Sequence, residues 1–415
     1  MAERDALEAV VRGEAGLVLA ALIARFGDFD LAEDALQDAV QAALERWPKD
    51  GVPARPAAWL TVAARRRVVD RLRHAAMRAD KADALRTSEE LRRAEQASAE
   101  DDDVPDERLR LLFTCCHPAL APEARVALTL RTLGGLSTEA VARAFLLPVT
   151  TLAKRLERAK GKIRDARIPY RVPPAAEWAE RLGSVLAVVY LIFNEGYSAT
   201  EAEPAARRAL CEEAIRLARL LAALAPREGE AHALLALLLL HDARRDARFA
   251  ADGGFVPLDE QDRKRWRREE IGAGVTALRA AAACAERGPY QVQAAIAAAH
   301  VLAPSGAATP WGTIAALYGE LEALAPSPVV RVNRAVAVGR ARGPEAGLAL
   351  LAELEPVDGA ARLADYQPYH AARADLLRRA GRAAEAAHAY RAALALCRGA
   401  PERRFLAGRL AQLEP

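Results

Sequence analysis

The sequence has few cysteines, methionines and aromatic residues, and it lacks long apolar runs. There are five cysteines and two methionines in 415 residues, and Phe, Trp and Tyr together make up 5%. Five cysteines are too few for the disulfide framework of a small secreted protein. No stretch approaches the roughly 18 uncharged apolar residues of a transmembrane helix, and the charged start, MAERDALEAVVRGEAG, differs from a secretion signal. We therefore expect a cytoplasmic protein without membrane contact.

Alternating β-branched segments are missing as well, whereas apolar residues recur with the helical period of 3.6 along almost the whole chain. We therefore predict an all-α fold. Stretches rich in Pro and Gly, WPKDGVPARP (47–56) and IPYRVPP (168–174), divide it because these residues do not continue a helix. The predicted domains are a helical bundle at 1–78, an acidic flexible linker at 79–107, a second helical block at 108–168 and a helical C-terminal domain at 175–415.

The formal net charge of +3 conceals blocks of opposite sign. Residues 26–45 contain six acidic groups and no basic one. Residues 55–81 contain eight basic and two acidic groups, and residues 95–107 contain seven acidic groups and no basic one. Alternating blocks of this kind indicate separate partners for separate segments.

The stretch STEAVARAFLLPVTTLAKRLERAKGKIR (137–164) has the outline of a helix-turn-helix. A first helix is predicted to begin at Ser137-Thr138, Pro148 breaks the pattern, and Thr150-Thr151 can cap a second helix that ends near Arg164. The residues predicted to be buried on the second helix are Leu152, Leu156, Ala159 and Ile163. The residues predicted to contact the DNA groove and its phosphates are Thr150, Thr151, Lys154, Arg155 and Arg158.

A second basic element is PAAWLTVAARRRVVDRLRH (56–74). The side chains predicted to be buried are Trp59, Leu60, Val62, Ala63, Val69 and Leu72. The exposed side is predicted to carry Arg65, Arg66, Arg67, Arg71 and Arg73. Like charges this dense repel one another along a helix, so we expect an anionic partner, and DNA phosphate fits that role.

These elements, in this order, resemble the extracytoplasmic-function class of bacterial RNA polymerase sigma factors. The acidic helix FDLAEDALQDAVQAALERWP (29–48) is similar to the region 2 helix that docks on core polymerase, with Asp34, Gln37 and Asp38 in matching positions. The resemblance implies −10 promoter contacts from Trp59, Arg65, Arg66, Arg67, Asp70, Arg71 and Arg73. It implies −35 contacts from the helix-turn-helix as region 4. Two positions depart from the family pattern, since Arg66 stands where Asn is frequent and Leu147 replaces the usual turn Gly.

The C-terminal part resembles the tetratricopeptide-like tail of one sigma subgroup. In GRAAEAAHAYRAAL, Gly381, Ala386, Tyr390 and Ala393 stand at the offsets of a tetratricopeptide unit; an irregular α-bundle is the alternative. The stretch DGGFVPLDEQDRKRW (252–266) is similar to the hallmark of that subgroup. The residues assigned to this regulatory motif are Asp252, Gly253, Asp259, Glu260, Gln261, Asp262, Arg263 and Trp266. We expect an ordered loop, anchored by Phe255 and Trp266.

The sequence gives only weak signals for a metal site or a catalytic site. Cys115-Cys116-His117 lacks a second Cys/His pair to complete a zinc site, and the carboxylates of 252–262 form no recognisable acid–base pattern. We therefore expect no enzyme activity, metal or cofactor. The expected partners are core RNA polymerase, promoter DNA and a protein or small ligand of the C-terminal helices. The alternative is a non-sigma helix-turn-helix regulator that recruits proteins through those helices.

Overall fold

The computed structural model describes residues 2–78, 104–134, 136–145, 147–198, 204–250, 253–354, 365–397 and 399–413. Apart from one isolated bridge between Phe249 and Phe255, the regular elements in these ranges are helices, which confirms the all-α prediction. None of the helices in the described part of the chain is both long and apolar enough to cross a membrane. Of the predicted linker, 79–103 lie outside the described residues, whereas 104–107 are helical.

Contacts between Cα atoms divide the chain into two compact units. The first comprises Met1–Gly196 and Ala202–Leu224, and the second comprises Tyr197–Glu201 and Ala225–Pro415. In chain order, the helices of the described residues begin with α1 (Ala2–Phe26), α2 (Phe29–Asp50), α3 (Pro56–Arg78), α4 (Val104–Cys115), α5 (Pro122–Thr132), α6 (Thr138–Ala144), α7 (Val149–Asp165), α8 (Ala175–Ser198) and α9 (Pro204–Leu224). They continue with α10 (Gly229–Asp242), α11 (Arg268–Ala282), α12 (Pro289–Leu302), α13 (Trp311–Leu324), α14 (Pro328–Arg342), α15 (Pro344–Ala352), α16 (Gln367–Arg379), α17 (Ala383–Leu396) and α18 (Ala400–Ala411).

In the first unit, α1, α2 and α3 pack against one another, and α1 also packs against α4. Helix α2 continues through Pro48 and ends at Asp50. Gly51 follows with φ of 82°, and its N–H donates to the carbonyl of Trp47 at 2.9 Å. A residue with a Cβ is strained at this φ, so glycine suits the helix end.

Helix α8 as far as Gly196 and the whole of α9 belong to the first unit, so the structure divides the domain predicted at 175–415. Arg181 donates to the carbonyl of Phe113 at 2.7 Å, and the Ser184 hydroxyl donates to the carbonyl of Cys116 at 3.0 Å. Gly196 lets α8 and α9 approach closely, since a Cβ on it would lie 2.6 Å from the carbonyl oxygen of Arg207. The boundary was missed because the proline-rich segment before α8 breaks the helix pattern without ending the packed unit.

In the second unit, consecutive helices pack in pairs, including α10 with α11, α14 with α15 and α16 with α17. Gly381, with φ of 77°, makes the turn between α16 and α17. Ala386, Tyr390 and Ala393 are buried in the core that these two helices share. The predicted turn and buried positions are confirmed, whereas the tetratricopeptide-like repeat itself stays a prediction.

Candidate nucleic-acid interface

Helices α6 and α7 form the helix-turn-helix outline predicted for 137–164. Ser137 caps α6, because its Oγ accepts a hydrogen bond at 3.1 Å from the backbone N–H three residues later. Helix α7 begins directly after Pro148, which occupies the N-cap position without a side-chain hydrogen bond. The prediction that Thr150 and Thr151 cap α7 is therefore wrong; both lie inside its first turn. Pro suits the break because it cannot continue the preceding helix.

Helix α7 has one apolar face and one basic face. The inner face is buried at the four predicted positions, Leu152, Leu156, Ala159 and Ile163. The outer face exposes Thr150, Thr151, Lys154 and Arg158. Arg155 is half-buried and lines a cavity of about 310 Å³ with residues of α5 and α8. Four of the five residues assigned to DNA contact therefore lie on an open surface that can meet phosphates and base edges.

Helix α3 carries the second basic face, but its buried stripe differs from the predicted one. The buried residues follow an i, i+4 spacing: Leu60, Ala64, Val68 and Leu72. Val62, which was predicted to be buried, is 48% exposed. The sequence pattern was compatible with either buried stripe because Val and Ala occur on several sides of this helix.

The arginines of α3 differ in exposure. Arg66, Arg67, Asp70 and Arg73 are exposed, whereas Arg65 is half-buried. The half-buried Trp59 packs edge-on against the buried Trp47 of α2, with ring centroids 5.4 Å apart. The exposed arginines can thus meet an external polyanion, while Trp59 takes part in the packing of α3 on α2.

The residues assigned to polymerase binding lie on α2, and two of them pair with a residue assigned to DNA. Arg71 of α3 donates to Asp34 at 2.6 Å and to Asp38 at 2.9 Å. These two carboxylates raise the pKa of Arg71 despite its partial burial, which alone would lower it. Gln37 is exposed one turn away. The acidic and basic blocks of the sequence are therefore partners of each other in this structure.

A second link joins α7 to the same acidic helix. Lys160 donates to Asp30 at 2.9 Å and to Glu33 at 2.8 Å, and Arg131 lies 3.9 Å from Glu33. The side chains of Lys160 and Glu33 are only 14% and 13% exposed. Burial alone would lower the pKa of Lys160, but the two carboxylates raise it. Sequence reasoning missed this pair, since its members are 127 positions apart and each has the appearance of a surface charge.

The segment 253–266 extends across the second unit and contacts distant helices. Gly253, with φ of 75°, accepts a hydrogen bond from Arg404 at 2.8 Å. Phe255 packs edge-on against Phe405 with ring centroids 5.8 Å apart, and Trp266 is 4% exposed. The expectation of an ordered loop anchored by Phe255 and Trp266 is confirmed.

The polar residues of this segment have separate partners. Asp259 pairs with Arg340 at 3.0 Å, and Glu260 pairs with Arg409. Two further residues make local bonds: Asp262 accepts from the backbone of Lys264, and Gln261 donates to the carbonyl of Val256. Arg263 donates to the more distant carbonyl of Ala303. Asp252 lies outside the described residues. Because the described carboxylates have different partners, they form no acid–base pair.

The Cys115-Cys116 pair is part of the core. Cys115 Sγ lies 3.3 Å from the hydroxyl of Thr132, and Cys116 Sγ lies 3.4 Å from that of Thr129. Burial raises the pKa of both thiols, that of Cys116 to about 12, so they stay protonated at neutral pH. In the ranges that the structure describes, no three His, Cys, Asp or Glu side chains are placed to share a metal ion.

Comparison with known proteins places these features in families. Residues 10–78 match sigma-70 region 2, residues 110–163 match sigma-70 region 4, and residues 181–282 match a family of unknown function, DUF6596. An uncharacterized protein of Rhizobium meliloti (strain 1021), R00370, is 43% identical over 394 residues, which are 94% of this chain and 91% of that protein. No solved structure matches the chain.

Proposed function

Since this chain belongs to the sigma-70 family of transcription initiation factors, with a C-terminal extension shared with the Rhizobium protein, we propose that it is an alternative sigma factor for a restricted set of promoters. It binds core RNA polymerase in the cytoplasm, and its C-terminal helices modulate its activity. Sigma-70 domains are non-enzymatic, so no covalent step is involved, as expected from the sequence. Promoter recognition then consists of contact with duplex DNA and capture of unpaired bases. Taking a base out of the duplex costs a few kcal/mol.

The main support for this proposal is that two domains, one matching region 2 and the other region 4, each expose a basic helix face. Lys154 and Arg158 on α7 are exposed while the opposite face of that helix is buried. Arg66, Arg67 and Arg73 on α3 are exposed above a buried stripe. A non-sigma regulator needs the first face, but it does not account for the region 2 match at 10–78.

Polymerase docking and DNA binding are coupled through Arg71. Asp34 and Asp38 have Arg71 as partner here, with each side chain 38% exposed or more, so the pair is worth at most about 1 kcal/mol. A cationic surface on polymerase can therefore displace Arg71 from the two carboxylates. The released guanidinium then joins the other exposed arginines of α3 in meeting DNA phosphate.

Promoter engagement requires the first unit to open. A compact unit of about 220 residues has a diameter of roughly 45 Å. The −10 and −35 elements are about 25 base pairs apart, which is roughly 85 Å at 3.4 Å per pair. Because the Lys160 contacts keep α7 on α2, regions 2 and 4 must separate before both promoter elements are bound.

Run-off transcription with core polymerase over a genomic library tests the proposed function. The full-length chain should initiate at a small set of promoters, and the double variant Lys154→Glu/Arg158→Glu should lose nearly all of that activity. Arg342→Glu, which alters an exposed arginine of the second unit, is the matched control and should retain it. Failure of the wild-type chain to bind core polymerase would refute the sigma assignment.

The role of the C-terminal helices is tested by truncation, and the structure fixes where to cut. A chain that ends at Leu224 keeps α8 and α9, whose side chains bond to carbonyls of the first unit. A cut after Pro174 would remove those partners. If the second unit modulates initiation, the 1–224 chain changes transcript yield while retaining core binding; equal yields would exclude modulation.

A further inference from the structure

Arg244 is a buried cation with no carboxylate partner among the described residues. It follows α10 and is 8% exposed. Its Nη2 donates to the Tyr197 hydroxyl at 3.1 Å and lies 3.0 Å from Nδ1 of His241. The nearby carboxylate of Asp242 is already paired with Arg245 at 3.0 Å and with Arg267 at 2.5 Å.

Two neighbouring arginines also lack a carboxylate partner in the part of the chain that the structure describes. Arg248 donates to the carbonyl of Tyr197, and its guanidinium carbon lies 3.6 Å from the centre of the Tyr197 ring. Arg263 donates to a backbone carbonyl at 3.1 Å and lies 4.6 Å from the centre of the Trp266 ring. Burial is the main cause of a lowered pKa at Arg244, and the charges of Arg248 and Arg263 lower it further. The three cations are therefore close enough to repel one another.

Two histidines connect this group to Arg340. His241 packs edge-on against Tyr197 at 5.5 Å, and His300 packs edge-on against Trp311 at 5.2 Å, where Arg340 lies 4.5 Å from the ring centre. Burial, followed by the nearby arginine charges, lowers the pKa of His241 to about 3 and that of His300 to about 4. Both rings are neutral at physiological pH and can donate or accept hydrogen bonds. We call Arg244, Arg248, Arg263, Arg340, His241 and His300 the basic cluster.

Among the residues that the structure describes, the basic cluster has an excess of positive charge. Its four guanidinium groups face one described carboxylate, Asp259, which Arg340 shares with Arg379 at 3.9 Å. A buried charge without a counter-charge is unfavourable unless an ion or ligand compensates it. A guanidinium on an aromatic ring gains about 0.5–2 kcal/mol, which offsets only part of that cost. Among the described residues the compensation of these charges is therefore incomplete, which favours binding of an anion.

We propose that the basic cluster binds a small anionic molecule through its phosphate or carboxylate groups. Arginine offers two parallel donors that match either group, and the neutral histidines add donors without further repulsion. The half-buried rings of Tyr197 and Trp311 lie against the guanidinium groups of Arg248 and Arg340. This inference concerns the C-terminal unit alone and does not depend on the sigma function.

Thermal unfolding of the full-length chain with inorganic phosphate, pyrophosphate and citrate tests the proposal, with NaCl matching the ionic strength. At 100 times its dissociation constant, a bound anion should raise the unfolding temperature by about 5–10 °C, in a saturable way. A larger shift with phosphate or pyrophosphate identifies a phosphate site, and a larger shift with citrate identifies a carboxylate site. No shift above NaCl with any of the three would overturn the proposal.

Two variants and a control separate binding from a structural role. Arg244→Gln and Arg248→Gln should lose most of the anion-dependent shift, whereas Arg287→Gln, which breaks an exposed pair with Glu320, should keep it. Without anion, Arg244→Gln should unfold at or above the wild-type temperature, because an uncompensated charge has been removed. A lower unfolding temperature together with a retained shift would assign Arg244 a purely structural role. Calorimetric titration with the most effective anion measures the dissociation constant directly.

Discussion

The Lys160 contacts allow a quantitative prediction about opening of the first unit. In Lys160→Ala, Glu33 loses its closest cation and, of the cations in the described residues, keeps Arg131 at 3.9 Å. The other carboxylate oxygen of Glu33, Oε1, is already buried without a hydrogen-bond partner among the described residues. Removing one member of a buried pair costs about 3–5 kcal/mol, and Arg131 and access to water reduce that to about 2 kcal/mol here. Asp30 adds little because its side chain is 67% exposed.

The substitution destabilises the closed form of the first unit, in which Lys160 holds α7 on α2. It does not affect the open form, because opening exposes Glu33 to water in wild type and variant alike. A change of about 2 kcal/mol shifts the closed-to-open equilibrium by roughly 30-fold. If the closed form predominates and only the open form binds productively, the apparent affinity for core polymerase rises by up to that factor. A fluorescence titration of labelled full-length protein with core polymerase measures it. Hydrogen exchange should also become faster in α2 and α7.

Lys162→Ala is the matched control for this measurement. Lys162 lies two residues further along α7 and is exposed, so its loss should leave both the affinity and the exchange rates within about twofold of wild type. If Lys160→Ala speeds exchange in α7 but leaves polymerase affinity unchanged, opening does not limit binding. Slower or unchanged exchange would show that the Lys160 contacts do not hold the unit closed.

Three further predictions follow from the same structure. Asp34→Asn with Asp38→Asn should lower core polymerase affinity at least tenfold in a pull-down titration, while the unfolding free energy changes by less than about 1 kcal/mol because the pairs are exposed; unchanged affinity would remove these residues from the interface. Arg158→Ala should reduce the salt-dependence slope of −35 duplex binding by about 1 without changing sequence preference, and a preserved slope would mean that it contacts no phosphate. The pKa of His241 is lowered to about 3, so the unfolded chain takes up a proton below about pH 6.5 that the folded unit excludes, and stability should fall as pH drops from 6.5 toward 4. His241→Gln should flatten that fall in urea unfolding curves, and an equally steep curve would contradict it.

Local patterns predicted the elements of the interface well. In α7 the apolar residues recur with a clear helical period, and charged or small polar residues separate them, so its buried face was predicted at all four positions. In α3, Val and Ala lie on several sides of the helix. The sequence therefore did not distinguish the buried i, i+4 stripe through Ala64 and Val68 from the predicted stripe through Val62, Ala63 and Val69. Periodicity locates a buried face only where the opposite face is clearly polar.

Pairs between elements could not be predicted in this way. Arg71 and Asp34 are 37 positions apart, and Lys160 and Asp30 are 130 apart. Each of these residues belongs to a segment whose composition is typical of a solvated surface. The cations of the C-terminal unit present the same difficulty, because Arg244 and Arg248 stand in a run of alternating charges, and only the fold shows that Asp242 is taken by other arginines.

The external partners proposed for the charge blocks differ from the partners that these blocks have within the structure. The sequence alone suggests that the acidic block at 26–45 faces polymerase and the basic blocks face DNA, whereas the structure pairs Asp34 and Asp38 with Arg71, and Asp30 with Lys160. An external partner must then compete with an internal one. The net binding energy of each site is the difference between two ionic contacts of similar strength, so small changes in either contact shift the balance. If a polymerase surface displaces Arg71, as we propose, that arginine becomes available to DNA at the same time, which would favour binding of both partners together over binding of either alone.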